Sequence, residues 1–248
     1  MESGYYVAYA GLAARMQALD IAASNLANVS TAGFKKENSF YRALTAVQQD
    51  EVQSPLNLAV NKFGVMGGNR VDLQTGPYET SANELDLAMQ GDGFFSVQTS
   101  AGIRYTRNGS FRLNAARQVL TQNGDPLLAD QGTTQVPITV PTGAITVSPD
   151  GTLSVNGGLV AKLHIVQFAP GTDLVPEGGS NYVAPAGSEG PSPGSTVVQG
   201  MLETSNINPV EGTIGLILIQ RQADMLGKAI QIFSLDFDRS AVQDVPHV

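Results

Sequence analysis

The sequence predicts a mixed, discontinuous fold: N- and C-terminal α-helices paired as a coiled-coil-like domain, with a mainly-β, antiparallel domain between them. Three observations carry this prediction. Apolar residues recur at alternating steps of four and three at both ends of the chain. Between the ends that rhythm gives way to short runs of strand composition. Those runs are separated by Asp-Gly and Asn-Gly dipeptides, which supply the positive φ that tight hairpins require. The 248 residues suffice for one large domain or two modest ones. The expected division is a helical domain from residues 1–35 and 203–248, a connector at 36–70, and a β-rich domain at 71–202.

At the N-terminus, Tyr5, Tyr9, Leu12, Met16, Leu19, Ala23 and Leu26 trace one apolar seam along a helix, in a segment rich in alanine. A seam of this kind serves either the chain's own core or an interface with another helix. Two matched seams bracketing a differently patterned middle favour the interface. After Leu26 the residues Asn28, Ser30, Thr31 and Gly33 cap, turn or tolerate positive φ, and so end the helix. Residues 36 to 70 lack sustained β alternation and contain Pro55 and the glycines 64, 67 and 68, as an extended connector would.

The middle shows strand-like runs at Phe94–Val97, Ile103–Thr106 and Leu163–Phe168. Residues Ile145 to Val155, turning at Asp150-Gly151, read as a hairpin on their own. The Gly-, Pro- and Ser-rich segment 170–196 is expected as a long loop. At the C-terminus, Leu216, Ile219, Ala223, Leu226, Ile230, Phe233 and Phe237 repeat the four-three seam, while Gly212, Gly215 and Gly227 each weaken the helix by about 1 kcal/mol relative to alanine. Packing against another element has to supply what propensity does not.

Composition narrows the chemistry. A net charge of −8 and the lack of a basic patch argue against nucleic acid as a partner. With no cysteine, disulfides, thiolate metal sites and cysteine nucleophiles are excluded. The apolar stretch Ile214–Ile219 is too short to insert in a membrane, and Met1-Glu2-Ser3-Gly4 does not open like a cleavable export signal. His164 and His247 are the two imidazoles, one flanked by apolar strand residues and the other at the frayed end. The carboxylate pairs Glu84/Asp86 and Asp236/Asp238 are explained by solvated faces and turn capping. No nucleophile elbow, paired-histidine zinc helix, phosphate loop or dinucleotide fingerprint is found. The expectation is a protein that is not an enzyme and needs no metal or cofactor.

Several blocks resemble the flagellar rod and hook family. The N-terminal block Asn25-Leu26-Ala27-Asn28-Val29, followed by Thr31 and Gly33-Phe34-Lys35, is similar to the family's signature. Leu85–Ala88, Gly91–Phe95 and Arg104–Phe111 are similar to its central blocks. Leu202 to Val210, with Ser205, Asn206, Asn208, Pro209 and Val210, resembles the block that opens the C-terminal helix, and Gln220-Arg221 lies inside that helix. The chain departs from the pattern at Gly212-Thr213, at Ala223, and at Ala115–Gln118, where the family has an acidic residue and glycine.

The resemblance implies a structural subunit of the bacterial flagellar basal body. Chain length favours the proximal rod, with a distal-rod or hook-type axial protein as the alternative. It further implies export without a cleaved signal peptide by the flagellar type III apparatus. Its partners would be copies of itself and other rod proteins, and its terminal helices would form an inner tube. A secreted β-domain binding or carbohydrate-active protein is the competing class, and it leaves the matched seams unexplained.

Overall fold

The computed structural model describes residues 2–42, 65–132 and 134–243. The chain divides into two compact units. One comprises Met1–Ala27, Glu37–Asn69 and Asn208–Val248, and the other Asn28–Lys36 and Arg70–Ile207.

In the first unit, α1 (Glu2–Ala27) packs against α2 (Pro209–Gln243), and β1 (Glu37–Arg42) pairs with β2 (Val65–Val71), whose last two residues belong to the second unit. The start of α2 is specified locally. Asn208 Oδ1 accepts hydrogen bonds from the Val210 and Glu211 N–H groups at 3.0 and 3.3 Å, Pro209 occupies the first helical position, and Glu211 places an acid in the first turn. The end of α1 is equally local: Thr31 N–H and its hydroxyl both turn back to Asn28, at 3.1 and 3.2 Å.

The expected coiled-coil-like pairing is corrected by the packing of α1. Its buried positions are Gly11, Ala14, Ala18 and Asn25, while Tyr9 and Met16 of the seam are 61% and 49% exposed and Ala23 is exposed too. The fully buried line runs one residue ahead of the predicted seam, a step of about 100° around the helix, and leaves the seam residues Leu12, Leu19 and Leu26 half-buried at its edge. Small side chains let the helix approach its neighbour closely, so the Gly11–Ala14–Ala18 stripe is favoured over the larger seam residues. On α2, Ala223 is buried and Leu216, Ile219, Leu226 and Ile230 are half-buried. The side chains of Tyr5, Phe233 and Phe237 lie outside the described residues. The unit is also not purely helical, since β1 and β2 fall in the stretch read as a connector; Pro55 and Gly64 of that stretch lie outside the described residues.

The second unit is antiparallel β throughout its described residues. Its largest sheet has the order β15-β16-β6-β5-β14-β17, formed by β5 (Gly93–Thr99), β6 (Gly102–Thr106), β14 (Ile165–Phe168), β15 (Val175–Gly178), β16 (Asn181–Val183) and β17 (Glu189–Pro191). Three of these strands lie in the segment expected to be a plain loop. Each has three or four residues and takes its register from a neighbour, so it leaves little periodicity to read.

Smaller ladders surround this sheet. They pair β3 (Tyr78–Thr80) with β19 (Met201–Glu203), β4 (Leu87–Gln90) with β18 (Thr196–Gln199), β7 (Phe111–Leu113) with β8 (Val119–Thr121), and β9 (Leu128–Gln131) with β10 (Thr134–Pro137). The hairpin expected at 145–155 is present as β11 (Ile145–Val147) and β12 (Thr152–Val155), with Ile145 opposite Val155, and β13 (Gly158–Lys162) extends it.

Both faces of β5 are covered, and alternation sends its residues to two cores. Phe95 and Val97 join Leu87, Met89, Phe111, Val119 and Leu127 on one side. Phe94 joins Val71, Tyr105, Phe168 and Tyr182 on the other, with edge-on ring contacts to Phe168 and Tyr182 at 5.4 and 6.1 Å.

Candidate functional site: a buried ion cluster beneath the N-terminal signature

The signature is shared between the two units. In the first, buried Asn25 clamps the start of β1: its Oδ1 accepts the Glu37 N–H at 2.9 Å and its Nδ2 donates to the Glu37 carbonyl at 2.8 Å. Ala27, at the end of α1, is exposed. In the second, Phe34 and Lys35 are buried and Gly33 holds φ at +66°. A Cβ at Gly33 would stand 2.2 Å from the Asn108 nitrogen, so both its conformation and its surroundings demand glycine. The Gly33 N–H donates to the Glu203 carbonyl at 2.7 Å, which lays the signature alongside β19.

Lys35 thereby enters the β unit. Its Nζ donates to Glu203 Oε1 at 2.5 Å and to the Gln74 carbonyl at 2.7 Å. The same Oε1 accepts the Gly76 N–H at 2.9 Å, where a Cβ would meet the Thr204 oxygen at 2.1 Å. Glu203 Oε2 faces Arg107 Nη1 at 3.3 Å. Arg107 also donates to the Met89 and Gly91 carbonyls at 3.2 and 2.6 Å, and its guanidinium sits 4.9 Å from the Phe94 ring centroid. The lysine and glutamate side chains are fully buried and the arginine is 1% exposed. Burial lowers the Lys35 pKa from its ordinary value, although the Glu203 carboxylate pulls it up. Removing Glu203 from such a cluster costs about 3–5 kcal/mol, because both cations are then left buried without compensation.

Backbone contacts complete the joint. The Lys35 N–H donates to the Tyr182 hydroxyl at 3.2 Å and the Lys36 N–H to Asn206 Oδ1 at 2.7 Å. The Asn206 amide in turn donates to the Asp72 and Gln74 carbonyls. Ser205 is buried and its Oγ accepts the Ile207 N–H. The structure therefore brings Gly33, Phe34, Lys35, Ser205 and Asn206 together, while Asn208 and Pro209 start α2, Val210 is 65% exposed, and Gln220 and Arg221 are exposed on it. Arg107 and Glu203 lie within the blocks that resemble the family, and the sequence does not mark them as partners. No spacing rule pairs residues 168 and 96 positions apart.

The other polar candidates are committed elsewhere. Asp86 binds the Ser81 hydroxyl and the Asn83 amide at 2.5 and 2.9 Å, so it forms no acid pair with exposed Glu84. His164 Nδ1 lies 2.8 Å from Ser96 Oγ, but Ser96 is fully buried and out of reach of a substrate. Burial lowers the His164 pKa. The Tyr105 hydroxyl donates to Glu189 at 3.0 Å, and burial pushes its pKa up to about 12. His247 and the side chains of Asp236 and Asp238 lie outside the described residues. Among the described residues no group of three or more His, Asp and Glu is placed to hold a metal ion, and no helix is long and apolar enough to cross a membrane.

The signature and the β unit both match known families. Residues 6–35 match the family described as flagella basal body rod protein, and residues 88–155 match the D1 domain of the flagellar hook proteins FlgE, FlgF and FlgG. The rod protein FlgF of Caulobacter vibrioides is 34% identical over 242 residues, covering 95% of this chain and 96% of its own. The chain belongs to the flagellar basal-body rod protein family. The FlgF of Salmonella typhimurium is 32% identical, with 93% of each chain covered, and a FlgG of Buchnera aphidicola is 29% identical over 91% of this chain. As a family member the chain is a structural subunit of the rod. The signature match ends at Lys35 and the D1 match contains Arg107, so the ion cluster joins the two matched regions.

Proposed function

We propose that this chain polymerises into the proximal rod through the outward faces of its terminal helices, and so transmits motor torque as part of the drive shaft. One observation carries the reading: large apolar side chains on both helices lack cover in the single chain. Tyr9 and Met16 of the N-terminal seam are exposed, and α2 exposes Ile214, Ile217, Leu218, Met225, Ile232 and Leu235. An apolar display of this extent on both terminal helices marks an interaction surface. Repetition of one heterologous contact builds a helical filament rather than a closed ring. The half-buried seam residues Leu216, Ile219, Leu226 and Ile230 then serve the internal helix contact, and the exposed apolar residues that lie off that seam serve neighbouring subunits.

The partners are other rod subunits and further copies of this chain, reached by flagellar type III export. The proximal position is supported by the FlgF relatives at 34% and 32% identity. Placing a charge in a packed apolar interface is costly. Leu218→Asp and Met225→Asp should therefore abolish rod incorporation and swimming while leaving secretion and the β unit intact. Recovery of normal rods containing both variants would refute the interface.

A further inference from the structure

The ion cluster is unbalanced: one carboxylate faces two cations. Lys35 and Arg107 are otherwise met by the Gln74, Met89 and Gly91 carbonyls and by the Phe94 ring, with Asp72 acting on Lys35 at longer range. These are partial or distant charges, and among the described residues Glu203 supplies the full negative charge in ion-pair contact. The three side chains come from remote parts of the sequence, with separations of 168 and 96 residues. The segment that carries Lys35 is held in the same way. Gly33 N–H binds the Glu203 carbonyl, Lys35 N–H the Tyr182 hydroxyl and Lys36 N–H the Asn206 side chain, and the Asp72 N–H returns to the Lys36 carbonyl. None of these bonds is a rung of the six-stranded sheet.

We propose that Glu203 is a latch. Its two ion pairs dock residues 28–36 onto a six-stranded sheet that is already formed, and their opening releases that segment as one cooperative piece while the sheet stays folded. Contacts spanning so much chain form after the local hairpins, because loop closure has to be met before they contribute. Buried ion pairs add little net stability against the cost of desolvating them, so the joint belongs to the low-stability end of the unit. The sheet has its own support in the β5–β6 hairpin, the β5–β14 ladder and the Phe94–Phe168–Tyr105 ring contacts, and none of these needs Glu203. The latch is a property of the single chain, and it stands whether or not the helices polymerise as proposed.

Native-state amide exchange on the full-length protein tests it. The amides of Gly33, Lys35, Lys36, Asp72 and Gly76 should share one opening rate, at least about tenfold faster than those of β5 and β14. Lys35→Met keeps a one-to-one Arg107–Glu203 pair, so it should raise that rate by less than about tenfold, whereas Glu203→Gln strands two cations and should raise it by about 100-fold or more. In both variants β5 and β14 should exchange as in the wild type. A common rate for joint and sheet in the wild-type protein would overturn the latch. So would a Glu203→Gln chain without a folded six-stranded sheet, or a Lys35→Met variant as damaging as Glu203→Gln.

Discussion

Lys35 and His164 are both pushed below their ordinary pKa by burial, with different consequences. Lys35 has a carboxylate against its ammonium, so its charge is part of the joint. His164 has Ser96 and Gln135 as neutral partners, with Asp130 and Glu189 acting only as weaker opposing charges. Its neutral form is the one the fold accommodates. Above the ordinary value of 6.5 both folded and unfolded chains hold a neutral imidazole, and His164 adds no pH dependence. As the pH falls through 6.5 the unfolded chain takes up a proton that the folded one resists. Stability contributed by the neutral imidazole is therefore lost from 6.5 down to the depressed folded value. Urea midpoints of the wild type should fall between pH 7.5 and 5.5, and His164→Gln should flatten that part of the slope while leaving motility unchanged. An unchanged slope, or a non-motile strain with normally folded variant, would contradict this assignment.

Among the elements, the β7–β8 hairpin shows how a departure from the family pattern is accommodated. Where the family has an acidic residue and glycine, Arg117 adopts φ of +61°. Asn114 closes the turn by accepting the Gln118 N–H on its side chain and the Arg117 N–H on its carbonyl. The Arg117 side chain reaches the Val140 and Pro141 carbonyls at 3.2 and 2.6 Å. The left-handed conformation costs a non-glycine residue about 1–2 kcal/mol. Hydrogen bonds from a charged group to those carbonyls return an amount of the same order, about 1.5–3 kcal/mol each when well buried and less at this partly exposed site. Arg117→Gly relieves the strain and loses the bonds, so it should change stability by less than about 1 kcal/mol. Arg117→Val keeps the strain, adds β-branching and loses the bonds, and should destabilise by about 2 kcal/mol or more. Denaturant unfolding of the two variants separates these outcomes, and equal losses would show that backbone strain at this turn is unimportant.

For the whole chain, the two units differ in how they are held. The β unit has two apolar cores and a buried ion cluster. The helical unit buries glycine and alanine of α1, exposes Tyr9 and Met16 of α1 and large apolar side chains of α2 among its described residues, and has three glycines in α2. Each of those glycines weakens a helix by about 1 kcal/mol relative to alanine. Helical stability comes mainly from packing an apolar face, and under the proposed assembly neighbouring subunits cover the exposed part of that face. In a dilute monomer the amides of α1 and α2 should exchange faster than those of β5 and β14, and assembly should protect them. Equal protection of both units in a verified monomer would show that the helices belong to a preformed core.

Features that depend on neighbours along the chain were legible in the sequence. It located both terminal helices, the Asn28–Thr31 stop of α1 and the hairpin at 145–155, because caps and turns are set by residues a few positions apart. Its ordered blocks also identified the family. Tertiary structure alone decided which stripe of α1 is buried, because small residues win when two backbones approach and periodicity does not record size. It alone turned part of the 170–196 loop into strands β15, β16 and β17, whose pairing comes from distant partners. It alone assembled Lys35, Arg107 and Glu203, each legible in the sequence only as a charge. Their pairing depends on chain closure over 168 and 96 residues, and no local spacing encodes that.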